Sequence, residues 1–315
     1  MFGERAKVNS FEWSTGGLFN KIFKINTTEG DFILKMECDE IFFATRKEQI
    51  ENEVYGNELF RRFGIPCPKI LAHEFTKNGV GTRYVFMEHI KNEGNDCPLH
   101  GTIDRFDESI KAEIERQFLA VFVKMREMTS TQFGGVSPTS ILGRHEGYDG
   151  FYRSTLNLLI KDSENCGVFT GEELDIVKKA AEKPLVYEKK YVPTFVHGDL
   201  GYHNAIWGST NGGGDHLYIF DFGNAFYGLP YFEEHICKVH GADADIVETI
   251  GLDRNLYDFD ENLIIHFERM FWRVSEQLTN DYAYGRMADG IEAAKKDTSR
   301  AHITDFVDRC RKLLS

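Results

Sequence analysis

The sequence predicts an α+β protein with two lobes: a small β-rich N-terminal lobe with one main helix, and a larger, mostly helical C-terminal lobe. Short runs of apolar and alternating character predict strands over residues 21–25, 31–36 and 82–88. Apolar residues at helical spacing predict a helix over 47–63. The polar run 91–96 ends this pattern. We therefore expect the lobes to span residues 1–90 and 91–315.

Turn-forming residues delimit these N-terminal elements. Thr27–Gly30 lies between the first two strands and has the composition of a hairpin turn. The helix over 47–63 should stop at Gly64, because Pro66 and Pro68 prevent its continuation. The N-terminal lobe is thus expected to consist of antiparallel strands and a single long helix.

The C-terminal lobe begins with the most regular helical pattern in the chain, over residues 108–128. Its apolar residues recur every three or four positions, at Ile110, Ile114, Phe118, Val121, Phe122 and Met125. Further helices are predicted over 172–181, 232–240, 260–278 and 302–314. Asn211–Gly214 is typical of a hairpin loop between two strands.

Composition excludes several classes of protein. The 315 residues are 42% hydrophobic and 13% aromatic, which is enough for a globular core. A formal net charge of −13 argues against a nucleic-acid partner, because phosphate backbones require a basic surface. The same charge is consistent with a cationic substrate, although simple solubility is the more common reason for it.

The compartment is expected to be the cytoplasm. The six cysteines are scattered without a Cys-x-x-Cys pair, which argues against a zinc site or a redox motif and favours a reducing environment. No apolar run reaches the ~18 residues that a membrane span requires, and the N-terminus lacks the apolar core of a signal peptide. The sequence does not indicate an oligomeric state.

Two loops carry the residues that phosphoryl transfer requires. Asp199 and Asn204 lie five residues apart in a loop between apolar runs, and Asp221 ends the apolar run that follows. Such chemistry needs a carboxylate to accept a hydroxyl proton, and oxygen ligands to hold magnesium. Either aspartate alone could be a turn residue, but their joint order and spacing favour a metal–nucleotide site. Asp199 is the candidate base, and Asn204 and Asp221 are the candidate magnesium ligands.

The N-terminal lobe offers candidates for phosphate binding. Lys35 lies within an apolar strand, where a lysine needs a phosphate or carboxylate partner unless it faces water at an edge. Glu53, on the helix that follows, is the candidate carboxylate. In the segment Ser14–Asn20, Gly16 and Gly17 would let backbone N–H groups approach phosphates, although the full Gly-x-Gly-x-x-Gly pattern is missing.

Two histidines flank the candidate base. His197 precedes Asp199 by two residues and is interpreted as an orienting residue packed under the loop, not as a general base. His203 is next to Asn204, and we interpret it as an exposed loop histidine.

These motifs resemble those of the aminoglycoside phosphotransferase-like kinases, a group that includes choline, homoserine and fructosamine kinases. His197–Asn204 is similar to their His-Gly-Asp-x-x-x-x-Asn loop, and Ile219–Gly223 to their metal-binding strand end. Gly228–Glu233 is similar to their Gly-x-Pro-x-x-Asp segment, with Glu233 in place of the usual aspartate. Phe63–Ile70 is similar to their Gly-x-Pro-x-Pro stretch. The resemblance extends from about residue 11 to residue 240.

The resemblance implies a bilobal protein-kinase-like fold and an ATP- and Mg²⁺-dependent kinase that phosphorylates a hydroxyl of a small molecule. It implies that Lys35 contacts the α- and β-phosphates and pairs with Glu53. It also implies a hinge at residues 87–90, with the Glu88 carbonyl and the Ile90 amide facing adenine. Asp199 is implied as the base. The sequence does not distinguish ATP from GTP.

Two departures from protein kinases argue against protein substrates. Gly201 stands where a protein kinase has a lysine, two residues after the catalytic aspartate. Asp221 is followed after nine residues by Pro230, which leaves no room for an activation loop.

Three functions compete. The acidic balance and the C-terminal carboxylates favour an aminoglycoside-like or other cationic antibiotic as acceptor, and hence a role in antibiotic resistance. Glu268 is the candidate contact, although an ordinary salt bridge with Arg269 or Arg273 explains it equally well.

The alternative is a kinase of a metabolite such as choline, a sugar or an amino-alcohol. The aromatic residues that could form a cation box for such an acceptor are more often part of a core: Phe267, Phe271, Trp272, Tyr282 and Tyr284. An inactive nucleotide-binding module is disfavoured, because the whole set of candidate residues is present.

Overall fold

The computed structural model describes residues 7–14, 20–37, 48–77, 81–92, 98–100, 102–167, 169–182, 192–210, 214–229, 232–233 and 298–315. Contacts group the chain into two compact units. The first unit comprises Met1–Asp39, Arg46–Ser140 and Val192–Leu252, and the second comprises Glu40–Thr45, Ile141–Tyr191 and Asp253–Ser315. The lobe boundary expected at residue 90 stays a prediction.

The first unit begins with a five-stranded antiparallel sheet in the order β1-β2-β3-β5-β4. Its strands are β1 (Val8–Ser14), β2 (Asn20–Thr27), β3 (Gly30–Glu37), β4 (Ile70–Glu74) and β5 (Tyr84–Glu88). The predicted hairpin is present, since Thr27 pairs with Gly30 and the glycine has a φ of +130°. The mixed α+β fold class is confirmed.

Helix α1 (Gln49–Arg62) packs on this sheet, with Ile50 and Val54 buried against Val85 and Met87 of β5. Gly64 follows the helix with a φ of +65°, a conformation that glycine adopts without strain. The predicted end of the helix is therefore confirmed. α1 is the element that carries Glu53 towards the sheet.

Helix α2 (Glu108–Glu127) forms the centre of a second core in the same unit. Asp107 caps its start by accepting hydrogen bonds from the Ser109 and Ile110 amides at 3.0 Å. Five of the six predicted apolar residues are fully buried: Ile114, Phe118, Val121, Phe122 and Met125. They pack in one cluster with Phe195 and Phe222, which flank the two aspartate loops.

Short strands position those loops. β9 (Ala205–Gly208) and β10 (His216–Ile219) form the predicted antiparallel hairpin. β11 (Phe226–Gly228) lies between β6 (Phe133–Gly135) and β8 (Thr194–Val196). The Asp199 loop follows β8 and Asp221 follows β10, as the apolar runs predicted.

The second unit contains β7 (Arg144–His145), α3 (Tyr148–Cys166), α4 (Gly171–Ala181) and α5 (Thr298–Leu314). Thr170 and Glu173 form a capping box at the start of α4. The sequence predicted α4 and α5 but not α3. The helix predicted over 260–278, and all of 232–240 except Phe232 and Glu233, lie outside the described residues. Within the described ranges, no helix is long and apolar enough to cross a membrane.

Candidate active site

Gly198 fixes the course of the loop after β8. Its φ is +82°, and a Cβ atom there would lie 2.4 Å from the carbonyl oxygen of Asn224. Any other residue would therefore force the backbones apart. The loop that carries Asp199 thus lies directly against the turn that carries Asp221.

Both carboxylate oxygens of Asp199 are oriented by neighbouring side chains. Oδ2 accepts a hydrogen bond from Asn204 Nδ2 at 3.0 Å, and the same nitrogen donates to the Asp199 carbonyl oxygen at 2.8 Å. Oδ1 lies 3.1 Å from His203 Nε2. The carboxylate is therefore held in one orientation, and each of its oxygens is able to accept more than one hydrogen bond.

His203 corrects the interpretation made from sequence. Its side chain is only 31% exposed and contacts the candidate base. Burial disfavours its protonation, but the hydrogen bond and the charge of Asp199 outweigh burial and raise the pKa of His203. This histidine therefore belongs to the site rather than to the solvent-exposed loop surface.

His197 lies where the sequence predicted, packed under the loop. It is fully buried against the rings of Phe60 and Phe222, and its Nε2 lies 3.1 Å from the Phe220 carbonyl oxygen. Burial lowers the pKa of His197 to about 4, although Asp199 and Asp221 act in the opposite direction. A neutral imidazole that donates from Nε2 joins the Asp199 loop to the end of β10.

Lys35 brings two carboxylates together. Its Nζ lies 2.7 Å from Glu53 Oε2 and 2.6 Å from Asp221 Oδ1. Lys35 and Glu53 are both buried. Burial opposes the charge on Lys35, but the charges of Asp221 and Glu53 outweigh it and raise the pKa of Lys35. The predicted Lys35–Glu53 pair is present, and Asp221 joins it.

Asp221 has a backbone conformation that is rare for its residue type. Its φ of 65° and ψ of 63° are left-handed, and within the described ranges it alone among non-glycine residues has a positive φ. Lys35 lowers the pKa of this carboxyl despite the opposing effect of burial. The side chain is 39% exposed, so its carboxylate remains accessible to a ligand.

Helix α1 docks onto the turn that follows Asp221. Asn52 Nδ2 donates to the Gly223 carbonyl oxygen at 3.0 Å. A Cβ atom on Gly56 would lie 2.6 Å from Phe222 Cβ, so the two backbones are as close as glycine allows. Glu53 and Asp221 are therefore fixed relative to each other by backbone packing as well as by Lys35.

Glu233 holds the Asp199 loop in place through hydrogen bonds to its backbone. Its carboxylate accepts hydrogen bonds from the amides of His197, Gly198 and Leu200, the last two at 3.1 Å. Burial raises the pKa of Glu233 to about 7, and the three amide donors limit that rise. The sequence marked Glu233 only as a replacement for an aspartate. An acidic residue in an apolar segment after the strand that ends at Asp221 was the available signal.

The residues present are suitable for magnesium. The amide nitrogen of Asn204 is committed to Asp199, which leaves its carbonyl oxygen as a ligand, and Asp221 offers a second hard oxygen. No group of three His, Cys, Asp or Glu side chains in the described part of the chain could hold a metal by itself. Magnesium suits such a site, because it is usually bound through few protein ligands together with phosphates and water.

The remaining candidates are partly described. Glu88 ends β5, where its amide donates to the Lys69 carbonyl oxygen at 2.9 Å, and Ile90 is buried two residues later. Gly16, Gly17 and Glu268 lie outside the described residues. The structure thus brings together Lys35, Glu53, Asp199, Asn204, Asp221, His197 and His203 within one compact unit.

Comparison with known families identifies the family of this chain. A family model described as "Phosphotransferase enzyme family" matches residues 15–243. The chain belongs to the phosphotransferase enzyme family. It is a small-molecule kinase. No curated protein sequence matched this phosphotransferase.

Solved structures share the fold of this phosphotransferase. A provisionally named fructosamine-3-kinase from Haemophilus somnus 129PT has a TM-score of 0.65 at 12% identity, covering 98% of this chain and 92% of its own. A provisionally named aminoglycoside phosphotransferase from Ralstonia eutropha JMP134 has a TM-score of 0.58 at 12% identity, covering 99% and 94%. A thermostable mutant of aminoglycoside phosphotransferase APH(4)-Ia has a TM-score of 0.57 at 14% identity, covering 96% and 95%. The protein-kinase-like fold is therefore confirmed.

Proposed function

We propose that this phosphotransferase transfers the γ-phosphate of ATP, with Mg²⁺, to a hydroxyl of a cationic small molecule, in the first place an aminoglycoside-like or other cationic antibiotic. The observation that carries the proposal is the placement of two sets of residues in one compact unit. One set is the oriented carboxylate of Asp199, and the other is the Lys35–Glu53–Asp221 cluster.

The two sets of residues would have different roles: the Lys35–Glu53–Asp221 cluster would act on the nucleotide, and Asp199 on the acceptor. Lys35 would contact the α- and β-phosphates, and its pairing with Glu53 keeps the ammonium in place without a ligand. Asn204 and Asp221 would hold magnesium, which neutralises phosphate charge and orients the transferred group. The hinge residues Glu88 and Ile90 would face adenine, and Gly16 and Gly17 would cover the phosphates.

Asp199 would act on the acceptor. Asn204 and His203 hold its carboxylate in a fixed orientation, so that an acceptor hydroxyl could donate a hydrogen bond to it. Asp199 would take that proton as the oxygen–phosphorus bond forms, as general bases do in this class of reaction. The neutral His197 and the buried Glu233 would act by holding the loop in place.

The acceptor is proposed to be cationic for two reasons. The chain has a net charge of −13, which favours amine-bearing ligands. One solved neighbour was crystallised in a ternary complex with ADP and hygromycin B, and another is the provisionally named fructosamine-3-kinase. Glu268 remains the proposed acceptor contact.

The test is an ATP-turnover screen over aminoglycosides and other cationic antibiotics, followed by mass spectrometry of the product. Asp199→Asn should abolish the stimulated turnover, because the base is removed without changing the size of the side chain. The matched control is Asp215→Asn, a change at an exposed residue of the β9–β10 connection. Turnover by Asp199→Asn equal to that of the unmodified protein would refute the assignment of the base.

A second candidate is a kinase of a metabolite such as a sugar, choline or an amino-alcohol. The similarity to the provisionally named fructosamine-3-kinase motivates it. The same screen should therefore include glycated amines, free sugars, choline and amino-alcohols. Stimulation by one of these, with none by the antibiotics, would replace the first candidate while leaving the role of Asp199 unchanged.

A further inference from the structure

The first turn of helix α1 is held by side chains from another part of the chain. Glu48 occupies the N-cap position, but its side chain makes no capping hydrogen bond to the helix. Instead, its Oε2 accepts a hydrogen bond from Ser140 Oγ at 2.7 Å. The start of α1 is therefore attached to the segment that follows β6.

Glu51, one turn further along α1, is bound by the same segment. Its Oε2 accepts from Ser137 Oγ at 2.9 Å and from Thr139 Oγ1 at 2.6 Å. Its Oε1 lies 3.8 Å from Arg83 Nη1. Two carboxylates of α1 are thus held by three hydroxyl groups, and hydrogen bonds to charged acceptors are stronger than neutral ones.

The hydroxyl groups are presented by a well-defined turn. The Ser140 amide donates to the Ser137 carbonyl oxygen at 3.2 Å, and Pro138 occupies the second position, which suits a β-turn. The Thr139 amide also donates to Ser137 Oγ at 3.2 Å. A Cβ atom on Gly135 would lie 1.9 Å from Ser140 Oγ, so glycine there is what lets Ser140 reach Glu48. The geometry of this turn therefore directs its hydroxyl groups towards α1.

These contacts lie outside the phosphate-binding cluster but on the same helix. Glu53 follows Glu51 by two residues and pairs with Lys35. On the same helix, Asn52 donates a hydrogen bond to the Gly223 carbonyl oxygen. Bonds at Glu48 and Glu51 restrict rotation and sliding of α1, and so keep Glu53 aimed at Lys35.

We propose that Glu48 and Glu51, with Ser137, Thr139 and Ser140, form a hydroxyl latch that positions α1 and thereby sets the affinity of the enzyme for the nucleoside triphosphate. Ser137 and Thr139 are positioning residues for the Lys35–Glu53 pair. The inference rests on the proposed function, because it assigns the nucleotide to that pair.

The test compares Thr139→Val and the double variant Ser137→Ala/Thr139→Val with the unmodified protein. Thr139→Ser, which keeps the hydroxyl, should behave like the unmodified protein. The matched control is Thr76→Val, since Thr76 Oγ1 also donates to a carboxylate at 2.7 Å, but that carboxylate, Glu74, belongs to β4 and not to α1. Binding of AMP-PNP with magnesium is measured by calorimetry, and kcat and KM for ATP by turnover.

The double variant should weaken AMP-PNP binding about 5- to 10-fold, because the binding-competent position of α1 is populated less of the time. The KM for ATP should rise similarly while kcat stays within about twofold, because bound nucleotide restores the position of α1. A fall in kcat with unchanged nucleotide affinity would contradict the positioning role.

Hydrogen exchange provides a readout without nucleotide. In the double variant, the amides of residues 52–56 should exchange faster than in the unmodified protein and in Thr76→Val. Failure of the unmodified protein to bind AMP-PNP would count against the proposed function. Equal exchange of these amides in all variants would overturn the hydroxyl latch whatever the nucleotide result.

Discussion

The Nζ atom of Lys35 lies 2.6 Å from Oδ1 of Asp221, although the two residues are 186 positions apart in the chain. The contact joins the third strand of the N-terminal sheet to the proposed metal-binding turn. Glu53 Oε2 lies 2.7 Å from the same Nζ atom, so one buried ammonium bridges two carboxylates. The candidate phosphate-binding and metal-binding residues therefore lie in one cluster.

We first predict that Lys35→Met abolishes nucleotide binding and also destabilises the protein. Removal of the ammonium leaves the buried Glu53 carboxylate without its cation, which typically costs about 3 kcal/mol. Chemical denaturation and calorimetry with AMP-PNP measure the two effects. In the double variant Lys35→Met/Glu53→Gln, the free energy of unfolding should recover while nucleotide binding should not. A double variant as unstable as the single one would contradict this account.

We next predict that His203→Ala lowers kcat about tenfold without changing nucleotide affinity, a loss equivalent to about 1.4 kcal/mol. The hydrogen bond between His203 Nε2 and Asp199 Oδ1 is lost, so the carboxylate samples more orientations. His203→Asn, which keeps a donor near the same place, should recover part of the rate. His216→Ala is the control, because His216 is exposed on β10. A kcat unchanged in His203→Ala would show that the hydrogen bond from His203 is not needed to orient Asp199.

Two buried groups should give opposite pH dependences of stability. His197 has its pKa lowered from 6.5 to about 4, so the unfolded chain binds the extra proton between these values, and stability rises with pH in that window. Glu233 has its pKa raised from 4.5 to about 7, so the folded protein binds the extra proton, and stability falls as pH rises through that window. Each effect is on the order of 3 kcal/mol, and in the unmodified protein they largely cancel.

Single variants should separate the two contributions. Relative to the unmodified protein, Glu233→Gln leaves the His197 contribution unopposed, so its free energy of unfolding should increase between pH 4 and 6.5. His197→Asn leaves the Glu233 contribution, so its free energy of unfolding should decrease between pH 4.5 and 7. Urea denaturation at several pH values measures both differences. Parallel profiles for the three proteins would show that neither group has a shifted pKa.

The last prediction concerns the contact between α1 and the Asp221 turn. Gly56→Ala should destabilise the protein by roughly 1–3 kcal/mol and weaken nucleotide binding, because the new Cβ would lie 2.6 Å from Phe222 Cβ. Gly171→Ala is the control, since a Cβ at that helical glycine meets no atom within 4 Å. The control should be neutral or slightly stabilising. Thermal melts and AMP-PNP calorimetry distinguish the two glycines, and equal melting temperatures would contradict the close approach.

The sequence was most informative where chemistry and local pattern coincide. An apolar run followed by an acidic residue marked both Asp199 and Asp221, because a strand end places a polar side chain at the edge of a core. Lys35 could be paired with Glu53, since a lysine inside an apolar strand needs a carboxylate nearby. The helix over 108–128 was predicted from periodicity, because one face of α2 is packed against a core.

Other features depend on contacts between distant segments. The role of His203 was missed because the bond to Asp199 requires the loop to fold back on itself within four residues. Nothing in the local sequence connects Glu51 with Ser137, 86 positions away. Helix α3 is a different case, because its sequence has the apolar periodicity of a helix but the helix was not predicted. Its buried apolar residues recur at helical spacing, at Tyr148, Phe151, Tyr152, Leu156, Leu159 and Ile160.

The first compact unit is assembled from three separate stretches of the chain, which has a consequence for engineering. Phe60 of α1 packs against Phe195 and Phe222 at ring-centroid distances of 5.3 and 4.7 Å. A fragment ending at Ile90 would expose that ring and leave Lys35 with one carboxylate instead of two. The nucleotide-binding part of this enzyme therefore cannot be excised or grafted as a self-contained module. During synthesis, the core around Phe60 is complete only after Tyr227 has been added to the chain.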